Sequence, residues 1–171
     1  QRTAVPERRA FDFVPPEKIK NSADKPLLTV SLHRLAQLSE ELIALAPARV
    51  YLPVELLPRL DLAPYRGRTE FFAVLPRIYR TQDEPILRAL LEDAAKKGVT
   101  GVSLANLGHL SLVRGLALSL HGGWPLNLYN SAALAFWKEE GLASACVSFE
   151  LRDAQLRDLS KCLPCEAIVY G

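Results

Sequence analysis

The sequence has no methionine, only three cysteines, and no apolar run approaching the ~18 residues that a membrane-spanning helix needs. Three is an odd number, which argues against a disulfide framework. Cys162 and Cys165 form a lone CxxC. A redox CxxC opens a helix, where the dipole lowers the thiol pKa. This one follows a helical pattern, contains Pro164 and leads into an apolar run. It therefore reads as two small apolar residues at a helix-to-strand junction, with a redox or metal role as the other reading. No apolar leader opens the sequence, so the expected location is cytoplasmic. Lack of a methionine, with Gln1 in first place, leads us to expect a fragment or processed piece of something longer.

One-signed charge is missing too. Twenty-one Lys and Arg face nineteen Asp and Glu, a balance of +2, which is not the footprint of non-specific nucleic-acid binding. The motifs HExxH, GxSxG, GxGxxG and the P-loop are absent. What remains is an ordinary globular composition, 49% hydrophobic and 23% charged, and 171 residues suffice for one core.

Residues 1–26 are rich in proline and charge and lack periodicity, so they read as a linker or tail, pinned by Phe11 and Phe13. A single domain is expected over 27–171. Short apolar runs then alternate with helical patterns. Strands are expected near 27–32, 49–54, 70–76, 100–105, 116–121, 144–149 and 166–170. Helices are expected over 35–45, 56–62 (a weak one, broken by Pro58), 84–97, around 110–115, over 132–140 and over 153–163. The helix at 84–97 is the best defined, with Pro85 at its first position and Lys96-Lys97-Gly98 at its end. Seven βα units predict an α/β fold, a parallel TIM-barrel-like (β/α) sheet that is partial or incomplete. A full eightfold barrel takes about 200 residues or more.

In such folds the carboxyl ends of the strands face the ligand. Polar residues follow most of the runs: His33, Glu55, Arg77, Asn106, His121 and Glu150. The loops add Trp124, Asn127, Tyr129 and Asn130. His121 and Glu150, on neighbouring strands, are the expected catalytic pair for acid–base chemistry. The alternative is a buried pair that fixes loops. His33, Glu55, Arg77, Asn106, Asn127 and Asn130 are the expected substrate-binding residues. Asn130 or Ser131 would equally cap the helix after it, and Asn106 would equally form a turn. His109 reads as a loop or helix start, Phe136 and Trp137 as core. No metal site is expected.

The stretches GVSLANLGHL, LSLHGGWPLNLYNS, CVSFELRDAQL and CEAIVYG, in that order and spacing, resemble the collagenase-like peptidases of unknown catalytic type, family thirty-two of the U class. The resemblance is specific over 101–171 and looser over 27–57, and FFAVLPRIY looks similar to the long members. On it, His121, Asn127, Asn130, Glu150 and Glu166 fall on positions of the shared pattern. The resemblance implies a TIM-barrel-like fold and a peptidase, hence hydrolase, label. Some relatives instead serve RNA modification or ubiquinone hydroxylation and carry an iron–sulfur cluster on cysteines after the "vyG" motif. Cys146, Cys162 and Cys165 do not match those positions, so no cofactor is expected from this chain's own residues. The partners implied are a peptide or an RNA substrate, the rest of a parent chain and a second copy in a homodimer, with no membrane. A non-proteolytic RNA-modifying module and a scaffold half-barrel remain the alternatives.

Overall fold

The computed structural model describes residue 14, residues 16–19 and residues 25–171. Seven strands form one sheet, each hydrogen-bonded to the next in chain order and all parallel. They are β1 (Thr29–Ser31), β2 (Arg49–Pro53), β3 (Glu70–Val74), β4 (Gly101–Leu104), β5 (Ser119–Gly122), β6 (Ser144–Cys146) and β7 (Cys165–Glu166). The sheet curls into a partial TIM-like barrel, open between β1 and β7.

Side chains alternate across the sheet with period two. Val50, Leu52, Phe71, Ala73, Val102, Leu104 and Ala145 point outward into the apolar core. Helices α1 (Glu40–Ala44), α2 (Glu84–Lys97), α3 (His109–Val113), α4 (Ser131–Glu139) and α5 (Asp153–Asp158) lie between successive strands. The opposite parity, Arg49, Tyr51, Phe72, Ser103, His121, Ser144, Cys146 and Glu166, faces the lumen. Gly101 belongs to that face, and a Cβ there would stand 2.2 Å from Phe72 Cε1 and 2.6 Å from the Ser119 carbonyl oxygen. The missing side chain is what lets the Phe72 ring lie across the lumen.

Helix α2 forms where its sequence places it. Leu87, Leu91 and Ala94 are buried on one side, and Arg88–Glu92 (3.2 Å) and Asp93–Lys97 (3.0 Å) pair at i,i+4 on the exposed side. Gly98, at φ 103°, ends it in the left-handed conformation.

Four expectations change. The helix expected over 35–45 splits into a 3-10 turn, Leu35–Gln37, and α1, because the Ser39 hydroxyl accepts the Leu42 N–H (3.3 Å) and starts a new helix. The one over 56–62 is the 3-10 segment Val54–Arg59, since Pro58 brings no N–H to an α-helical ladder. Helix 153–163 stops at Asp158, where Leu159 and Leu163 turn into the core. The run 167–170 leaves the sheet. Glu166 makes the last bond, its carbonyl accepting the N–H of Val147, the residue after β6 (2.9 Å), and Val169 and Tyr170 beyond it are 94% and 97% exposed.

Part of the segment expected as a linker or tail is docked at residues 18–19. The Lys161 N–H donates to the Ile19 carbonyl (2.8 Å), the Ile19 N–H to Ser160 Oγ (3.0 Å), and Lys18 pairs with Asp158 (3.0 Å). Residues 1–13, 15 and 20–24, including Phe11 and Phe13, lie outside the described residues.

Candidate functional site

Period-two alternation puts one polar cluster inside the lumen. Arg49 and Tyr51 enter from β2, His121 from β5, Ser144 from β6 and Glu166 from β7. The Arg49 Nη1–H donates to Ser144 Oγ at 2.8 Å, and Ser144 Oγ lies 2.9 Å from His121 Nδ1. The serine oxygen thus accepts from Arg49 and has its own hydrogen to give to Nδ1. With the serine hydroxyl donating to Nδ1, the imidazole proton sits on Nε2, which faces Glu166 Oε2 at 3.5 Å. The Tyr51 hydroxyl donates to Glu166 Oε1 at 2.6 Å, and Arg49 Nη1 approaches the same oxygen at 3.6 Å. On its outer side Arg49 Nε bonds Glu70 at 3.2 Å.

Rings hold the cluster in place. The Arg49 guanidinium sits 4.6 Å above the Phe72 ring. Tyr51 packs on His121 at 5.2 Å between centroids, and Phe72 meets His121 edge-on at 6.4 Å. Ser144 and His121 are 1% and 2% exposed.

Burial sets the charge states. It pulls the His121 pKa down to about 3, helped by the positive Arg49, so the ring is neutral at pH 7. The contact with Glu166 is therefore an imidazole–carboxyl approach, not an ion pair. Burial raises Glu166 above the usual carboxylate range, against the pull of the Tyr51 hydrogen bond, Arg49 and Thr29. The Tyr51 phenol is raised by burial and by Glu166 and stays protonated. Burial alone would lower Arg49, but Tyr51, Glu70 and Glu166 hold it up.

The expected pairing of His121 with Glu150 is not what forms. Two details explain this. Strand β5 runs to Gly122, so His121 lies within the strand and points into the lumen rather than out of its mouth. Strand β6 ends at Cys146, and the Glu150 N–H then donates to Ser148 Oγ (3.2 Å), a turn that leaves Glu150 exposed. The carboxylate that reaches His121 is Glu166. Parity could have found it: Glu166 is the polar residue that enters the lumen from the last strand.

The other expected residues lie around the rim. His33 is exposed, its N–H donating to Gln37 Oε1 (2.9 Å), and Glu55 is exposed in the first turn of Val54–Arg59. Asn127 is left-handed (φ 49°) and ends the 3-10 turn Trp124–Leu126, while Asn130 caps α4, its Oδ1 accepting the Ala133 N–H (2.8 Å). Arg77 and Asn106 do come together, the Asn106 Nδ2–H donating to the Arg77 carbonyl (3.1 Å). His109 is fully buried beside them. Its Nδ1 accepts the Ala105 N–H (3.0 Å), it packs on Tyr79 at 5.3 Å, and burial lowers its pKa, so it ties the loops after β3 and β4.

Cys146 and Cys165 are set as protonated thiols against the backbone. Burial, reinforced by Glu166 and Cys165, pushes the Cys146 thiol up to about 12. Burial likewise pushes Cys165 up to about 11. Their thiols face backbone carbonyls of Val147 (3.6 Å) and Leu163 (3.3 Å). Among the described residues no group of three His, Cys, Asp or Glu converges as a metal site, and no helix is long and apolar enough to cross a membrane.

An open parallel barrel with a polar, hydrogen-bonded lumen belongs to the TIM-like class. The sequence model of peptidase family U32 matches residues 58–171, two thirds of the chain, and the chain belongs to that family. Comparison with curated proteins gave no match.

Proposed function

We propose that this chain hydrolyses peptide bonds, with Ser144, His121 and Glu166 as nucleophile, base and orienting group. The observation that carries the reading is the geometry at His121: Nδ1 is 2.9 Å from Ser144 Oγ, and Nε2 is 3.5 Å from Glu166. A weak hydroxyl nucleophile needs an adjacent base, and the base needs a third group to fix its tautomer. In the reaction Ser144 Oγ would bond to the peptide carbonyl carbon while its proton passes to His121 Nδ1. The imidazolium, which burial and Arg49 disfavour in the resting site, would be held only transiently, facing Glu166, and its proton would go on to the leaving amine as the C–N bond breaks. Water would then release the acyl group from Ser144. Arg49, 2.8 Å from Oγ, favours negative charge building there. Substrate would reach the lumen from its open side, where the Arg49 and Glu166 side chains are 23% and 21% exposed.

The test is covalent labelling with a fluorophosphonate, followed by peptide mapping, together with hydrolysis of a mixed peptide library. Labelling at Ser144, lost in Ser144→Ala along with about a thousandfold or more of the hydrolysis rate, is the expected result. If Ser144→Ala melts lower yet cleaves at the wild-type rate, the cluster is a brace across the lumen and the reading is wrong.

A further inference from the structure

The carboxyl rim carries a second constellation that the lumen chemistry does not use. Loops after β3, β5 and β6 bring Arg77, Trp124 and Phe149 together. The Trp124 and Phe149 rings are 6.2 Å apart, inclined at 57°, and the Arg77 guanidinium stands 5.8 Å from the indole centroid. Trp124 is 48% exposed and Phe149 61%.

Their backbones, by contrast, are held. The Arg77 carbonyl accepts from Asn106 (3.1 Å). The Gly123 N–H donates to the Leu104 carbonyl (2.8 Å), and the Asn127 N–H to that of Trp124 (3.0 Å). The Ser148 N–H donates to the Leu128 carbonyl (3.0 Å), and Ser148 Oγ accepts the Glu150 N–H (3.2 Å). Leu128 resumes strand-like pairing with Val147, so residues 124–127 are an excursion that lifts Trp124 above the sheet. A fixed frame that shows two large aromatic faces to water is the pattern of a binding surface. Ile78 and Leu107, next in sequence to Arg77 and Asn106, are exposed as well.

The ligand chemistry follows from the three groups. The inclined ring pair takes a flat apolar group. A guanidinium stacked on a ring keeps its N–H edge for a carboxylate. Among the described residues Arg77 has no carboxylate partner of its own. A nucleic-acid strand would call for a track of cations, whereas one guanidinium meets the rings here. We infer that the Arg77–Trp124–Phe149 platform binds the carboxy-terminal residue of a peptide when that residue is aromatic. Its ring lies on the aromatic pair and its α-carboxylate on Arg77. This rests on the peptide-handling reading above and names the kind of peptide end the mouth selects.

The experiment is a titration of the 15N-labelled chain, followed at the indole N–H signals of Trp124 and of Trp137, the internal control. The probes are Gly-Gly-Phe, its C-terminal amide, Gly-Gly-Ala and N-acetylphenylalanine. Gly-Gly-Phe is expected to shift Trp124 and not Trp137. The amide and Gly-Gly-Ala should bind about tenfold more weakly or worse. Arg77→Gln should abolish the preference for acid over amide. Equal binding of acid and amide, no shift of Trp124 at millimolar peptide, or an acid preference that survives Arg77→Gln would each overturn the inference. N-acetylphenylalanine binding as tightly as the tripeptide would assign the site to a lone aromatic acid and overturn the peptide assignment. The outcomes separate from those of the lumen. Binding as expected with no hydrolysis keeps the platform and removes the relay. Hydrolysis indifferent to Arg77 and to an aromatic end, with Trp124 unmoved, does the reverse.

Discussion

Moving the His121 ring into the lumen strips its water, and Arg49 beside it repels a second positive charge. The folded pKa of about 3 lies below the unfolded value of 6.5. Below the unfolded value the unfolded chain takes up a proton that the folded one refuses. The stability is therefore complete above about pH 6.5 and declines as pH falls toward the folded pKa, by at most about 1.4 kcal/mol per pH unit for one proton. His109, also lowered by burial, acts in the same sense. Glu166, raised by burial, acts in the opposite sense, keeping its proton longer when folded. Urea unfolding at about pH 7, 6 and 5 should show the wild type weakening toward acid and His121→Asn weakening less, by up to one proton's slope. Equal slopes would refute this account of His121.

At the scale of elements, the strands were legible because each is an apolar run of β length bounded by helical periodicity. Helix α2 was legible to the residue, since its cap signals and apolar spacing agree. What the sequence hid is parity. The run through residues 116–121 was readable, but only its pairing with β4 and β6 shows that His121 faces inward. The same blindness pairs His121 with Glu150 where the fold brings Glu166 beside it, and leaves Arg49 and Ser144 out of the lumen. A serine and an arginine at the starts of strands look like surface residues until the curl of the sheet brings them face to face. Gly101 was invisible for a related reason, because its neighbour Phe72 arrives from another strand. Gly101→Ala should destabilise by about 1–3 kcal/mol or more, because the new methyl meets both a ring and a backbone oxygen. Thermal melting, with Gly98→Ala as the contrasting backbone-strain variant in open space, checks this. An unchanged melting temperature for Gly101→Ala would mean that both the Phe72 ring and the Ser119 backbone are free to move aside.

In the whole molecule, each strand lies beside the one made just before it. Nearly every sheet contact is thus closed by a short stretch of chain. Two lumen bonds are the exception: Arg49 reaches Ser144 across 95 residues and Tyr51 reaches Glu166 across 115. Joining partners so far apart costs loop-closure entropy that earlier, local contacts do not. The sheet should therefore assemble strand upon strand, with the bond between its two ends made after the rate-limiting step. Tyr51→Phe, which removes only the hydroxyl, should speed unfolding while leaving the folding limb of the chevron nearly unmoved, a φ-value near zero. A φ-value near one would instead place the curl of the sheet ahead of its local packing. The late bond would also make the open side of the barrel the first to part when the protein breathes, so amide exchange in β1 and β7 should run ahead of that in β3 and β4.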